Sequence, residues 1–319
     1  MRQISSNIPN SPRVLAPSQF KVWIAAARLR TLPLSMAGII TGNSLALKAP
    51  GFSWLIFFGA LLTAISYQIL SNFANDYGDG IKGTDNDKRL GPKRVLQQNW
   101  LSQKALYNGI IWTALIAFIL SLSLIYGALG GEKLGQLLIF ILLALLAIWA
   151  AYNYTVGDRA YGYYALGDLF VLVFFGGVAV GGSYFLQMKT LSMETLYFSI
   201  ALGGLSVGVL NLNNLRDIEN DKRFGKITLA GIMGFKIGIA YQFVLVLGSC
   251  SAVSLALQNH PSESYWKYLP LLMVFPLSSQ LFQLARIKEN QQIDSLLKPL
   301  ALSTFGLSLL LFFTYWLLL

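Results

Sequence analysis

Long apolar runs alternate with short polar blocks along almost the whole chain. A helix that crosses a bilayer needs about 20 mostly apolar residues, and windows of that length fall at nine places: 25–47, 53–72, 104–127, 134–153, 166–187, 193–210, 228–257, 266–284 and 297–319. Lipid offers no partner to an exposed peptide group, so each run is expected to be a helix rather than an open strand. The seventh is long enough for its last turns to leave the bilayer. The pattern predicts an all-α integral membrane protein, nine transmembrane helices in a bundle around a central cavity. Residues 1–319 form one membrane-embedded domain with a polar tail over residues 1–19. The tail lacks the apolar core of a secretory signal, so insertion is expected to rely on the first span.

Composition agrees with the pattern. Of 319 residues, 55% are hydrophobic and 12% charged, with a mean hydropathy of +0.57, whereas soluble domains are about 25% charged. The net charge of +10 would raise the question of nucleic acid in a soluble protein. Here it fits basic loops that face the cytoplasm and anionic lipid, so membrane lipid is an expected partner and nucleic acid is not. If the N-terminus and every even-to-odd loop share one side, that side holds 20 of the 24 Lys and Arg residues, among them Arg2, Arg13 and Lys88. The other side keeps only Lys48, Lys133, Lys189 and Lys267. The positive-inside rule then places the N-terminus and the acidic blocks described next in the cytoplasm. One cysteine, Cys250, lies in an apolar run and one histidine, His260, in a polar loop, which excludes a disulfide within the chain and a metal site built on His and Cys.

Two polar blocks carry the candidate chemistry. Residues 72–87 (NFANDYGDGIKGTDND) hold Asp76, Asp79, Asp85 and Asp87, four of 14 carboxylates, directly after the second span. Residues 211–226 (NLNNLRDIENDKRFGK) hold Asp217, Glu219 and Asp221 after the sixth. The blocks lie four spans apart, which suggests a parallel repeat with a ninth helix added and brings both to one cavity mouth. If the second helix continues through its block, Asn72, Asn75, Asp76 and Asp79 share one face. In the second block Asp217 and Asp221 are four apart, with Asn213 and Asn214 a turn earlier. Carboxylates and amides are hard oxygen donors suited to magnesium, which takes one or two carboxylates while waters and substrate phosphates fill its shell.

Lys82, Arg94, Arg216, Arg223 and Lys226 lie close by and can neutralise phosphate oxygens. Topology accounts for Lys88, Arg89, Lys288 and Lys298. Gly78, Gly80 and Gly83 are expected to loosen the chain beyond Asp79. Arg28 and Arg30 can snorkel at the interface or bind the carboxylate of an acidic acceptor. Gln68 is expected to face inward. Tyr154 and Asp168 either shape an acceptor site or belong to an aromatic belt and a solvated loop end. Asp87 counts as a bystander.

These residues resemble the UbiA-type intramembrane prenyltransferases. NDYGDGIKGTD (75–85) looks like that family's first aspartate-rich motif, and NNLRDIENDKRFGKITL (213–229) like its second; the spacing of Gly83 and Asp85 is similar to the subgroup acting on 1,4-dihydroxy-2-naphthoate. The resemblance extends to RLRTLPLS (28–35), ALGDLFVLVFFG (165–176) and IDSLLKPLAL (293–302). It implies a magnesium-dependent reaction in the inner membrane of a bacterium. A polyprenyl diphosphate ionises, its allylic cation alkylates 1,4-dihydroxy-2-naphthoate, and the ring carboxylate leaves as carbon dioxide, giving a demethylmenaquinone. It further implies that Asp76 and Asp79 bind one Mg2+ and Asp217 and Asp221 another, that Asn72, Asn75, Lys82, Arg216 and Lys226 hold diphosphate, and that Asp85 is the third acid of the first motif. Arg28, Tyr154 and Gln68 are the acceptor candidates. Two departures stand out: VGDRAYGYYALG after the fourth span lacks a proline frequent in the family, and Asp294-Ser295 replaces a frequent Asp-Pro, taken as a local matter. The competing readings are a related enzyme with another acceptor, such as 4-hydroxybenzoate or haem, and a cation-coupled transporter, whose acids would lie near the bilayer midplane.

Overall fold

The computed structural model describes residues 17–86 and 89–317. Arg2, Arg13, Asp87, Lys88 and the end of the ninth expected span lie outside the described residues.

The first expected span is not one helix. Helix α1 (Gln19–Ala27) stops where Arg28 adopts a left-handed backbone, φ 50°, and a 3-10 turn over Leu29–Thr31 leads into α2 (Leu32–Ser44), with Pro33 in its first turn. A non-glycine residue in that region costs about 1–3 kcal/mol and persists only where its surroundings enforce it. Asn72 supplies the enforcement: its amide donates to the Ala27 carbonyl at 2.8 Å and to Thr31 Oγ1 at 3.0 Å. At 13 residues, α2 is shorter than a full crossing.

Among the described residues, eight other helices are long and apolar enough to cross a membrane: α3 (Trp54–Ile81), α4 (Gln103–Leu129), α5 (Leu134–Asn153), α6 (Gly167–Met188), α7 (Met193–Arg216), then, after the short α8 (Ile218–Arg223), α9 (Leu229–Asn259), α10 (Tyr265–Ala285) and α11 (Asn290–Leu317). Among the described residues there is no strand beyond one isolated bridge. Two helices depart from regular geometry. Helix α6 is π-helical over Leu172–Gly182, and α9 is kinked at Gly234, φ 76°.

Helix α3 packs along α4, α7 along α9, and α11 against α2. Helix α7 is the most enclosed span, with Phe198, Leu202, Leu205, Leu212 and Leu215 fully buried. The outward faces of α4 and α5 instead expose Trp112, Ile119, Leu138 and Leu142, as lipid-facing surfaces require.

Helix α3 runs nine residues past its expected end, straight through Asn72, Asp76 and Asp79, and turns only at Gly83, φ 73°. The expected loosening at Gly78 and Gly80 does not occur, since both are helical. Gly78 serves close packing: a Cβ there would sit 2.6 Å from the backbone carbon of Thr155, just past α5. A Gly78→Val substitution therefore lowers stability by about 1–3 kcal/mol, read as a lower Tm of the detergent-solubilised protein. An unchanged Tm would show that α3 and α5 do not depend on that approach.

Candidate active site

The ends of α3 and α7 meet at one end of the bundle, so the two acidic blocks form one site. Asn220 on α8 joins them, donating to the Thr84 carbonyl at 2.9 Å and accepting from Asn86 at 3.0 Å.

Acids and guanidinium groups alternate across the site. Arg28 pairs with Asp76. Arg94 Nε lies 3.6 Å from Asp76 Oδ1 and 3.8 Å from Asp85 Oδ1. Arg89 Nε lies 3.2 Å from Asp85 and 3.7 Å from Asp217. Arg216 grips Asp217 through two hydrogen bonds, 3.1 and 2.6 Å, and reaches Asp294 at 2.6 Å. Asp76, Asp85, Arg216 and Asp217 are buried, and Arg28, Arg89 and Arg94 are mostly so, in surroundings where an unpaired charge costs several kcal/mol. The alternation gives every carboxylate except the terminal Asp294 two cationic neighbours. Burial still pushes the Asp85 carboxyl above its usual range, against the pull of Arg94. Burial and the neighbouring Arg89 bring Arg94 down to about 9.

A second cluster surrounds Asp79. The Tyr163 hydroxyl donates to it at 2.8 Å, and Lys226 Nζ lies 3.4 Å away. Lys82 Nζ sits 4.0 Å above the Tyr163 ring. Burial works against the Lys226 charge, but Asp79 and Asp221 outweigh it and raise its pKa. Asp221 is pushed up to about 6, first by burial, with Asp217 and Asp79 adding to the shift and Lys226 opposing it.

These placements revise several expectations. Arg89, assigned to topology, stands between the two blocks; its i,i+4 spacing from Asp85 was the available signal. Asp294 is not a local matter, because it anchors Arg216 from 78 residues away. The donors of Asn72 are engaged by Ala27 and Thr31, so this amide braces the break after α1 rather than facing the acids, and Gln68 in turn donates to its oxygen at 3.3 Å. The Arg28 guanidinium is turned to Asp76. Tyr163, Thr84 and Asn220 carried no signal of their own in the linear pattern.

Beneath the acids lies a cavity of about 330 Å3, within the range of small-molecule sites. Its walls are apolar, with Phe170, Phe174 and Phe175 from α6, and its polar end is formed by Gln68, Asn75 and Tyr154. Tyr154 is pushed up to about 12, chiefly by burial. Asn75 also meets Thr155 Oγ1 at 3.4 Å. Asp168 is buried at the start of α6, with one oxygen lacking a hydrogen bond.

The donor set suits a hard divalent cation. Asp76 Oδ1 and both oxygens of Asp85 are buried without a hydrogen-bond partner, and Asp76 Oδ1 and Asp85 Oδ1 face cations through ion pairs. Among the described residues no three acids, histidines or cysteines converge into a closed cage. A cation here would thus draw ligands from a phosphate or water, as magnesium commonly does.

An apolar cavity inside a helical membrane bundle, capped by paired acids and cations, defines a class of membrane-embedded protein able to hold an apolar molecule by an anionic head. The chain belongs to the UbiA prenyltransferase family, whose family model matches residues 35–305; it is thus a multi-pass membrane protein. It is 43% identical over 261 residues to the 1,4-dihydroxy-2-naphthoate octaprenyltransferase of Haemophilus influenzae, covering 81% of this chain and 83% of that one. It is 42% identical to the protein of the same name from Escherichia coli, covering 80% and 82%. A solved structure of a UbiA homolog from Archaeoglobus fulgidus bound to GPP and Mg2+ superposes with a TM-score of 0.63 at 13% identity, over 91% of this chain and 99% of that one, which supports the fold.

Removing Arg89 leaves Asp85 and Asp217 with one cation each. Breaking a buried pair costs about 3–5 kcal/mol, and the remaining partners reduce that here. Arg89→Ala is expected to destabilise the protein by about 2 kcal/mol, and Arg89→Lys to recover only part of this, since an ammonium cannot span two acids as a planar fork does. Thermal unfolding of the two variants checks it.

Proposed function

We propose that the protein transfers a polyprenyl group from a polyprenyl diphosphate to 1,4-dihydroxy-2-naphthoate with loss of carbon dioxide, giving a demethylmenaquinone in its reduced, quinol form. The observation that carries this reading is the joining of two acid–base blocks directly above an apolar cavity, in a chain 43% identical to a protein named for that transfer. Acids at helix ends among cations suit a diphosphate better than the midplane ion site of a transporter.

In this reading Asp76 and Asp79, with Asp85 beside them, hold one Mg2+, and Asp217 and Asp221 hold a second. When bound, Mg2+ supplies positive charge that stabilises the departing diphosphate. Lys82, Lys226 and Arg216 bind its remaining oxygens, and Asn75 orients it at the polar end of the cavity. The prenyl chain lies along the apolar walls, where Phe170 and Phe174 exclude water and offer ring faces to an allylic cation. The allylic C–O bond breaks with its electron pair going to diphosphate. The ring carbon that bears the carboxylate then forms the new C–C bond, and the electrons of its bond to the carboxylate return to the ring as carbon dioxide leaves. Gln68 and Tyr154 contact the acceptor, while Arg28 reaches it only by giving up Asp76. The site faces the cytoplasm of a bacterial inner membrane, a placement supported by the 20-to-4 distribution of basic residues, and residues 1–319 act as one domain.

Two outcomes are expected. Asp76→Asn or Asp217→Asn lowers prenyl transfer by about a hundredfold or more in protein that still folds, and chelation of Mg2+ abolishes transfer by wild type; full activity in either variant removes the metal assignment. Membranes given a polyprenyl diphosphate, Mg2+ and carboxyl-labelled acceptors release labelled carbon dioxide from 1,4-dihydroxy-2-naphthoate. Prenylation of 4-hydroxybenzoate without such release would replace the proposed acceptor.

A further inference from the structure

Three tyrosines stand within four residues of the segment that follows α5, and they do different things. Tyr161 is buried, stacked on Phe170 at 4.0 Å, with its hydroxyl donating to the Ala150 carbonyl. Tyr164 is exposed. Tyr163, half-buried at the mouth of the site, touches the first acidic block at three points.

A phenol has one proton to give. The Asp79 carboxylate accepts only, so the 2.8 Å contact takes the Tyr163 proton. Thr84 Oγ1, 2.7 Å from the same oxygen, must then be the donor to Tyr163. The result is a directed relay, Thr84 to Tyr163 to Asp79. The positive φ of Gly83 turns the chain so that Lys82 and Thr84, on either side of it, both reach this one tyrosine. The Thr84 carbonyl accepts from Asn220 of the second block. The segment carrying Tyr163 is tied to the same block: Ala165 N–H donates to the Ile227 carbonyl at 2.8 Å and Ile227 N–H to the Tyr163 carbonyl at 3.3 Å. Lys226, the residue before Ile227, points at Asp79 and lies 5.5 Å from the Tyr163 ring.

We propose that Tyr163 is a positioning residue for the diphosphate site: its hydroxyl fixes the carboxylate of Asp79, and its ring seats the ammonium of Lys82. This rests on the reading of Asp79 as a metal ligand and Lys82 as a diphosphate ligand. The two parts of the side chain then have separable effects. Groups that orient a metal-binding carboxylate typically govern affinity by about 10–100-fold, whereas a cation over an aromatic face contributes less.

The test uses the full-length protein in detergent, with Mn2+ alone titrated by electron paramagnetic resonance and prenyl transfer measured in parallel. Tyr163→Phe removes the hydroxyl and keeps the ring. It is expected to weaken Mn2+ binding by about tenfold or more while leaving the KM for polyprenyl diphosphate, at saturating metal, near that of wild type. Tyr163→Leu removes both and is expected to raise that KM by about three- to tenfold as well. Thr84→Val, which removes the relay's first donor and leaves the tyrosine intact, shifts Mn2+ affinity in the same direction. Wild-type Mn2+ affinity in both Tyr163→Phe and Thr84→Val, or equal KM values in Phe and Leu variants, would overturn the inference while leaving the proposed reaction in place. A wild-type protein with no metal-dependent prenyl transfer would overturn both.

Discussion

The site depends on keeping three buried carboxylates, Asp76, Asp85 and Asp217, ionised in a place with little water. At an effective dielectric near 20, opposite charges 4 Å apart attract by about 4 kcal/mol, while removing each ion from water costs several kcal/mol. A single pair shared by two ions falls short of that cost, and two partners per acid come much closer to offsetting it. The run from Arg28 through Asp76, Arg94, Asp85, Arg89, Asp217 and Arg216 to Asp294 follows that arithmetic, and it draws its members from five parts of the chain. Helices far apart in sequence must end at the same depth for it to form. The charge network is therefore also a positional constraint on the bundle.

Other features serve that convergence. The break after α1 turns Arg28 toward Asp76, and Asn72 holds the break with both of its amide donors. Gly78 lets the end of α5 approach α3, which brings the segment with Tyr154 and Tyr163 over the site. Asn220 ties the end of the second block to Thr84 in the first. The apolar cavity begins where these contacts stop, with Asn75 facing it one residue before Asp76. An apolar chain and an anionic head would thus meet separate, adjoining surroundings, as the proposed reaction needs.

Most of the membrane architecture could be read from the chain because bilayer thickness fixes how long an apolar run must be. Leu134–Asn153 coincides with its expected span, and several others begin or end within a few residues of theirs. The first span could not be read in this way. Its break comes from Asn72, 44 residues beyond Arg28, and no local preference announces it. Helical spacing correctly placed Asn75, Asp76 and Asp79 on a continuing helix, while Gly78 and Gly80 suggested a loosening that packing overrides. The acids were legible through scarcity in a chain with only 14 of them. Arg94, Arg216 and Lys226 were legible beside them, but Arg89 was not, because in a membrane protein an arginine in a loop already has a sufficient explanation in topology. The fold, more than its i,i+4 spacing from Asp85, separates Arg89 from its neighbours.

The central claim is that the two blocks act as one diphosphate site. A double-mutant cycle on Mg2+-dependent binding of a polyprenyl diphosphate, using Asp79→Asn and Asp221→Asn singly and together, tests it most directly. Residues sharing a ligand should couple by about 0.5–3 kcal/mol, so the double variant should lose clearly less or more than the sum of the single losses. Additivity within about 0.5 kcal/mol would mean that the two blocks bind independently, and would contradict the account.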